Sequence, residues 1–186
     1  MFYMLVGIDY SITSPAICLY DEKREFCFQN CSFYFLTNTK KFATKIAPNI
    51  NGEGFEEYAY DTERFDTISE WATNLCVGAA DVAIEGYSYG SHGRVFNLAE
   101  NCGILKYKLH KLAVPVTVVE PSRVKKLATG KGNADKQAMY EAFMKETKTD
   151  LISVFEQKSL TNPVTDIIDS FYILKSLIHS KCNFQD

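Results

Sequence analysis

The stretch Met4-Leu-Val-Gly-Ile-Asp9 decides how the rest of the chain is read. Four apolar residues and a glycine lead into one aspartate, and turn formers follow from Ser11 to Pro15. A short apolar run bounded in this way reads as a strand buried on both faces, and such strands lie centrally in a sheet covered by helices. Asp9 then stands at the carboxyl end of the strand, where open α/β sheets carry their ligands. A carboxylate withdrawn from water there needs a cation or a basic partner. The plainer alternative is a turn cap. A second run with the same ending, Asp81-Val-Ala-Ile-Glu85, favours the first reading.

A chain of 186 residues suits a single domain over 1–186, and its 46% hydrophobic and 23% charged content is that of an ordinary globular protein. The six cysteines, at 18, 27, 31, 76, 102 and 182, form no Cys-x-x-Cys pair and no Cys/His cluster of zinc spacing. They read as reduced core thiols of a cytoplasmic protein. The first eight residues are too few for a signal sequence, and no run approaches the roughly 18 apolar residues of a membrane span. Charge is unevenly spread. Arg94 to Lys148 holds 11 Lys or Arg against 5 Asp or Glu, whereas the remainder holds 9 against 18. A basic middle in an acidic chain suits a phosphate-binding face beside a carboxylate metal site, although a solvated helix face accounts for part of the split.

In chain order, Ala16 to Tyr20 and Glu25 to Leu36 read as two further strands joined by the charged turn Asp21 to Arg24, giving an antiparallel meander with the first. Thr37 to Tyr60 has no clear period and reads as a long loop or insertion over 37–60. Asp61 to Cys76 repeats apolar residues at helical spacing. Asp81 to Glu85 is the fourth strand, and Gly86-Tyr-Ser-Tyr-Gly-Ser-His-Gly93 follows it. Val95 to Leu112 is the next helix, with Phe96, Ala99, Gly103, Leu105, Leu109 and Leu112 expected near one side. Val114 to Val119 is the fifth strand, Pro121 to Leu127 a short helix, and Ala134 to about Lys145 another beyond the loop Thr129 to Asn133. The last helix runs from about Thr165 to His179, with Ile168, Phe171, Leu174 and Ile178 expected on its buried side. The sum is a mixed five-stranded α/β sheet with helices on both faces.

That last helix opens with Thr165-Asp-Ile-Ile-Asp169, and residues three apart share a helix face. Charge complementarity at a helix N-terminus explains an isolated pair of this kind. Beside Asp9 and Glu85, the pair instead suggests four carboxylates around one space. Oxygen donors without His or Cys suit Mg²⁺ or Mn²⁺, and two such ions could clamp the attacking and leaving oxygens of a phosphodiester.

The segments Gly7-Ile-Asp-Tyr-Ser11, Ala83-Ile-Glu85, Asn97 to Gly103, Pro121-Ser-Arg-Val-Lys-Lys126, Thr129-Gly-Lys-Gly-Asn-Ala-Asp-Lys136 and Asp166-Ile-Ile-Asp169 form an ordered set spread over nearly the whole chain. In that order the chain resembles the RuvC family of Holliday-junction resolvases, within the ribonuclease H-like superfamily. The resemblance implies a ribonuclease H-like fold with Asp9, Glu85, Asp166 and Asp169 as metal-binding catalytic carboxylates. It also implies Lys125 and Lys136 near the scissile phosphate, and a homodimer working on two strands of a four-way junction. Tyr10 stands where bacterial members usually have Pro-Gly, and 37–60 is longer than the family's usual connection. These divergences look more like a bacteriophage member, acting in the host cytoplasm. Tyr87 and Tyr89 both qualify as the DNA-facing aromatic of the loop after Glu85, and Tyr89 is preferred; ordinary loop packing is the other reading. Arg94, Lys126 and Lys131 are expected to add phosphate contacts, and Lys136 follows a two-glycine loop that lets backbone approach phosphates.

The small residues around Asn101, Cys102 and Gly103 fit either a helix contact in a dimer or internal packing. His92, His110 and His179 read as structural or solvated. The expected activity is paired nicking of branched DNA, with no membrane partner. The rivals are a ribonuclease H acting on RNA–DNA hybrids and a non-catalytic branched-DNA-binding protein.

Overall fold

In the computed structural model, which describes residues 3–86 and 95–182, β1 (Met4–Asp9) alternates as a strand buried on both sides must. Leu5 packs into one core, and Val6 and Ile8 into the other. β1 sits within a sheet in the order β4-β5-β3-β2-β1-β6-β7. β2 (Ala16–Asp21) and β3 (Cys31–Thr37) complete the antiparallel meander. β6 (Ala79–Glu85) and β7 (Val116–Val119) run parallel to β1 on its other side. Helices α1 (Asp61–Leu75) and α2 (Val95–Lys111) cover one face. The other face carries α3 (Pro121–Thr129), α4 (Lys136–Thr147), the one-turn α5 (Leu151–Val154) and α6 (Val164–Cys182). Among the described residues no helix is long and apolar enough to cross a membrane.

The sheet has seven strands, not the expected five, and both additions come from 37–60. After a 3₁₀ turn at Lys40–Phe42, β4 (Lys45–Ala47) and β5 (Ile50–Gly54) extend the meander edge, with β5 parallel to β3. Gly52 looks like a turn residue but serves close packing: a Cβ there would fall 1.9 Å from the carbonyl oxygen of Phe42.

The expected strand Glu25 to Leu36 is also shorter, because a 3₁₀ turn at Phe28–Asn30 precedes β3. Phe26, Phe28, Phe33 and Phe35 all pack into the core beneath α4 and α6. Strict alternation would send the even pair and the odd pair to opposite faces, so the backbone needs one register change between them, and the turn supplies it. Phe26 can then stack on Phe171 (ring centroids 5.0 Å apart) and Phe28 meet Phe143 edge to face (5.4 Å).

α2 is rotated from its expected orientation. Asn101, Cys102, Leu105 and Leu109 are buried, Phe96 is 81% exposed and Gly103 faces open space. The rotation follows from a polar contact that apolar periodicity ignores: buried Tyr10 Oη donates to Asn101 Oδ1 at 2.9 Å. α6 is buried on nearly every side: Ile167, Tyr172, Ile173 and Leu177 are buried as well as the expected Ile168, Phe171 and Leu174, while Ile178 is partly buried. The described cysteines are all free thiols, four of them buried.

Candidate metal and phosphate site

Two strand ends and one helix start build the site. Gly7 lies on the α6 face of β1, so Asp9, two residues on, emerges on that same face. β6 runs in parallel register, with Gly7 beside Ala83 and Ile8 beside Ile84. One step further along both strands brings Asp9 level with Glu85, on neighbouring strands about 4.8 Å apart. α6 seats closely on Gly7, since a Cβ at residue 7 would lie 2.5 Å from both Leu174 N and Ser170 O. One turn toward its N-terminus, α6 presents Asp166 and Asp169 over the strand ends.

The electrostatics show that the four carboxylates share one environment. Burial pushes Asp9 well above the ordinary carboxylate range; the charges of Asp169, Asp166 and Glu85 add to it, and Lys136 opposes. Glu85 is pushed up to about 7 by burial first and Asp169 second, against Lys125. Asp166 rises to about 7 through burial, with the Ser14 hydroxyl opposing and Asp169 adding, while Lys136 and Thr165 also oppose. Asp169 reaches about 6 by burial, held down by Lys136 and then Lys125. Asp9, Glu85 and Asp169 nonetheless keep part of their surface open, as a binding site must.

Lys136 is the first residue of α4, whose N-cap Asp135 accepts from Ala138 N at 2.8 Å. Lys125 projects from α3 toward Glu85 and Asp169. Both expected lysines therefore face the carboxylates. Lys126, one residue on, lines a hollow with Arg123, Ser176 and His179, and Lys131 lines a groove between α3 and α4. Tyr87, Tyr89 and Arg94 lie outside the described residues.

Sequence reasoning missed the partners that hold the carboxylates. Ser14, buried in the loop after β1, donates to Asp166 Oδ2 at 2.5 Å across 152 positions. Thr165 Oγ1 donates to Asn162 Oδ1 at 2.8 Å at the start of α6. Arg64 on α1 ties down the same loop by donating to the Ile12 carbonyl at 2.5 Å. Ser11 to Pro15 reads as a plain turn, and nothing local marks Ser14 as a carboxylate donor.

Among the described residues, no three His, Cys, Asp or Glu side chains are gathered into a ready-made cation cage. Burial plus mutual repulsion leaves the four carboxylates short of positive charge. An all-oxygen donor set of this kind fits a hard divalent ion such as Mg²⁺, which keeps several waters and is completed by substrate phosphate.

No protein-family model matches the chain, and no curated protein matches its sequence. Solved structures match it along nearly its whole length, two of RuvC among them. The Thermus thermophilus RuvC structure is 15% identical, with 97% of this chain and 96% of that chain covered and a TM-score of 0.62. RuvC of the same organism in complex with a Holliday junction substrate is also 15% identical, at the same coverage, with a TM-score of 0.63. From its first strand to its last helix, the chain has the fold of RuvC.

Proposed function

We propose that this chain is a divalent-cation-dependent endonuclease that resolves four-way junctions and related branched DNA by paired nicking, as a homodimer of single-domain subunits. The observation that carries the reading is the convergence of Asp9, Glu85, Asp166 and Asp169, with Lys125 and Lys136 beside them, on a fold shared with a protein solved in complex with a Holliday junction substrate. Asp9, Glu85, Asp166 and Asp169 would hold the ions. Bound there, a pair of Mg²⁺ ions, for which Mn²⁺ substitutes, supplies Lewis-acid polarisation of the phosphodiester and stabilises attacking and leaving oxygens. Ser14 aims Asp166 and holds its proton affinity below what burial alone would give, because a hydroxyl donating to a carboxylate favours its charged form. Lys136 and Lys125 place positive charge where the phosphate would sit, orienting it for in-line attack and leaving 5′-phosphate ends.

Incubation of the protein and Mg²⁺ with labelled four-way junctions, flaps, forks and an RNA–DNA hybrid tests the reading. Asp9→Asn and Asp169→Asn should abolish cutting and leave junction binding largely intact. Equal cutting by wild type and these variants refutes the assignment, and cleavage of the hybrid alone would make the protein a ribonuclease H. Lys136→Ala should lower the rate more than the affinity.

A further inference from the structure

Away from the carboxylates, α3 and α6 flank an open hollow of about 230 Å³, lined by Arg123, Lys126, Leu127, Ser176 and His179. α3 contributes residues at i, i+3 and i+4, which share one helix face, and α6 contributes Ser176 and His179 three apart. Arg123 is fixed beside α6 by donating to Ser180 Oγ at 2.8 Å. Among the described residues, no acidic side chain lines the hollow, and neither Arg123 nor Lys126 forms an ion pair.

Ser176 sets this hollow apart from a chance gathering of surface cations. It is 1% exposed, yet its hydroxyl has no hydrogen-bond partner. Two other serines of α6 behave differently: Ser170 donates to the Ile167 carbonyl and Ser180 to the Ser176 carbonyl, each at 2.8 Å. Buried hydroxyls are rarely left unpaired, because withdrawal from water without a partner is costly. An unpaired hydroxyl at the floor of a basic hollow marks a place prepared for an acceptor. The volume equals several waters at about 30 Å³ each.

We propose that this hollow binds a phosphate group, with Arg123, Lys126 and His179 donating to its oxygens and Ser176 completing the set. The phosphate comes either from a DNA backbone or from a free phosphate ion. Ser176 lies seven residues beyond Asp169, two helical turns along the same side of α6 and roughly 10 Å away. At about 3.4 Å of axial rise per nucleotide, that span is no more than a few nucleotides along one strand. A strand held at the carboxylates would therefore lay a nearby phosphate in the hollow; this DNA arm rests on the proposed nuclease reading, and the free-ion arm does not.

Inorganic phosphate titrated into the full chain, with the His179 ring followed by NMR, tests the site. A saturable shift is expected in wild type, and its loss in Arg123→Gln and Ser176→Ala. Ser176→Ala should melt no lower than wild type, since it removes an unpaired hydroxyl, so loss of the shift cannot be laid to unfolding. Junction affinity measured against NaCl tests the source. Arg123→Gln and Lys126→Gln should each lower the slope of log K against log salt by about one if the hollow holds backbone phosphate. A phosphate shift with unchanged slopes assigns it to the free ion. No saturable shift together with unchanged slopes overturns the proposal, whereas absence of cleavage with the shift intact would sink only the nuclease reading.

Discussion

Adding one methyl group at Gly7 should unseat α6 and disturb the carboxylates together. In Gly7→Ala the new Cβ would lie 2.5 Å from Leu174 N, 2.5 Å from Ser170 O and 2.6 Å from Leu174 Cβ. Two of those atoms are helix backbone and cannot rotate away. Ordinary contact begins at 3.4 Å, so α6 must back off β1 by about 0.9 Å, or β1 must bend. Overpacking of this kind typically costs about 1–3 kcal/mol, and backbone contacts place Gly7→Ala at the upper end. At roughly 2–4 °C per kcal/mol for a domain of this size, the melting temperature should fall by about 6–12 °C. Denaturant unfolding and calorimetry measure the loss. Gly103→Ala is the control: nothing lies within 4 Å of its Cβ, it sits inside α2, and a gain of about 0.5–1 kcal/mol is expected.

The same displacement carries Asp166 and Asp169 away from Asp9 and Glu85. A misplacement of about 1 Å in a catalytic constellation costs on the order of 10²-fold in rate. Junction cutting by Gly7→Ala, assayed well below its own melting temperature, should fall by about that factor. Wild-type stability with wild-type cutting would refute the seating of α6 on Gly7. Lost stability with undiminished cutting would sever the packing from the site.

Between about pH 5 and 8 the metal-free protein should lose stability as pH rises. Glu85 and Asp166 stay protonated up to about 7 and Asp169 up to about 6 in the folded state, while the unfolded chain has already released those protons. Thermal melts in EDTA should show this fall, millimolar Mg²⁺ should reduce it, and a rise across the same range would contradict the burial of the carboxylates. Ser14→Ala strips Asp166 of its buried donor and should cost about 1–3 kcal/mol in denaturant unfolding, with Ser14→Thr recovering most of it. Calorimetric titration should also show weaker Mn²⁺ binding by Ser14→Ala than by Ser14→Thr. Tyr10→Phe leaves Asn101 Oδ1 without its donor beside an Nδ2 already unpaired, so a loss of about 1–3 kcal/mol is expected at an unchanged m value.

Asp9, Glu85, Asp166 and Asp169 were legible because each closes or opens a segment whose period is plain. Two apolar runs end in a carboxylate, and an Asp-x-x-Asp pair starts a long apolar helix. What the period could not show is what reaches in from elsewhere. Ser14 meets Asp166 from 152 positions away, and Asn101 turns α2 because Tyr10 waits beneath it. β4 and β5 escaped notice because their residues answer tertiary demands: Gly52 makes room for the Phe42 carbonyl, a need that looks like a turn when only neighbours in sequence are seen. The register change at Phe28–Asn30 has the same origin, since the shared destination of four phenylalanines exists only once α4 and α6 are in place.

The charges at the strand ends argue for what must join them. Four carboxylates and one phosphodiester bring five negative charges to a partly buried space, and among the described residues Lys125 and Lys136 answer them. Burial first, with the charge of Asp169 adding at Glu85 and Asp166, raises Glu85, Asp166 and Asp169 to about 7, 7 and 6, so the bare protein meets part of the excess by holding protons. Protons are a poor remedy near neutral pH, because they are released where the raised groups titrate and a phosphodiester arriving there meets renewed repulsion. A single divalent ion would still leave the space negative once the phosphodiester enters. A second ion would take the sum, lysines included, from one negative charge to one positive charge, so the charge balance of this pocket calls for a divalent cation and is met equally well by one ion or by two.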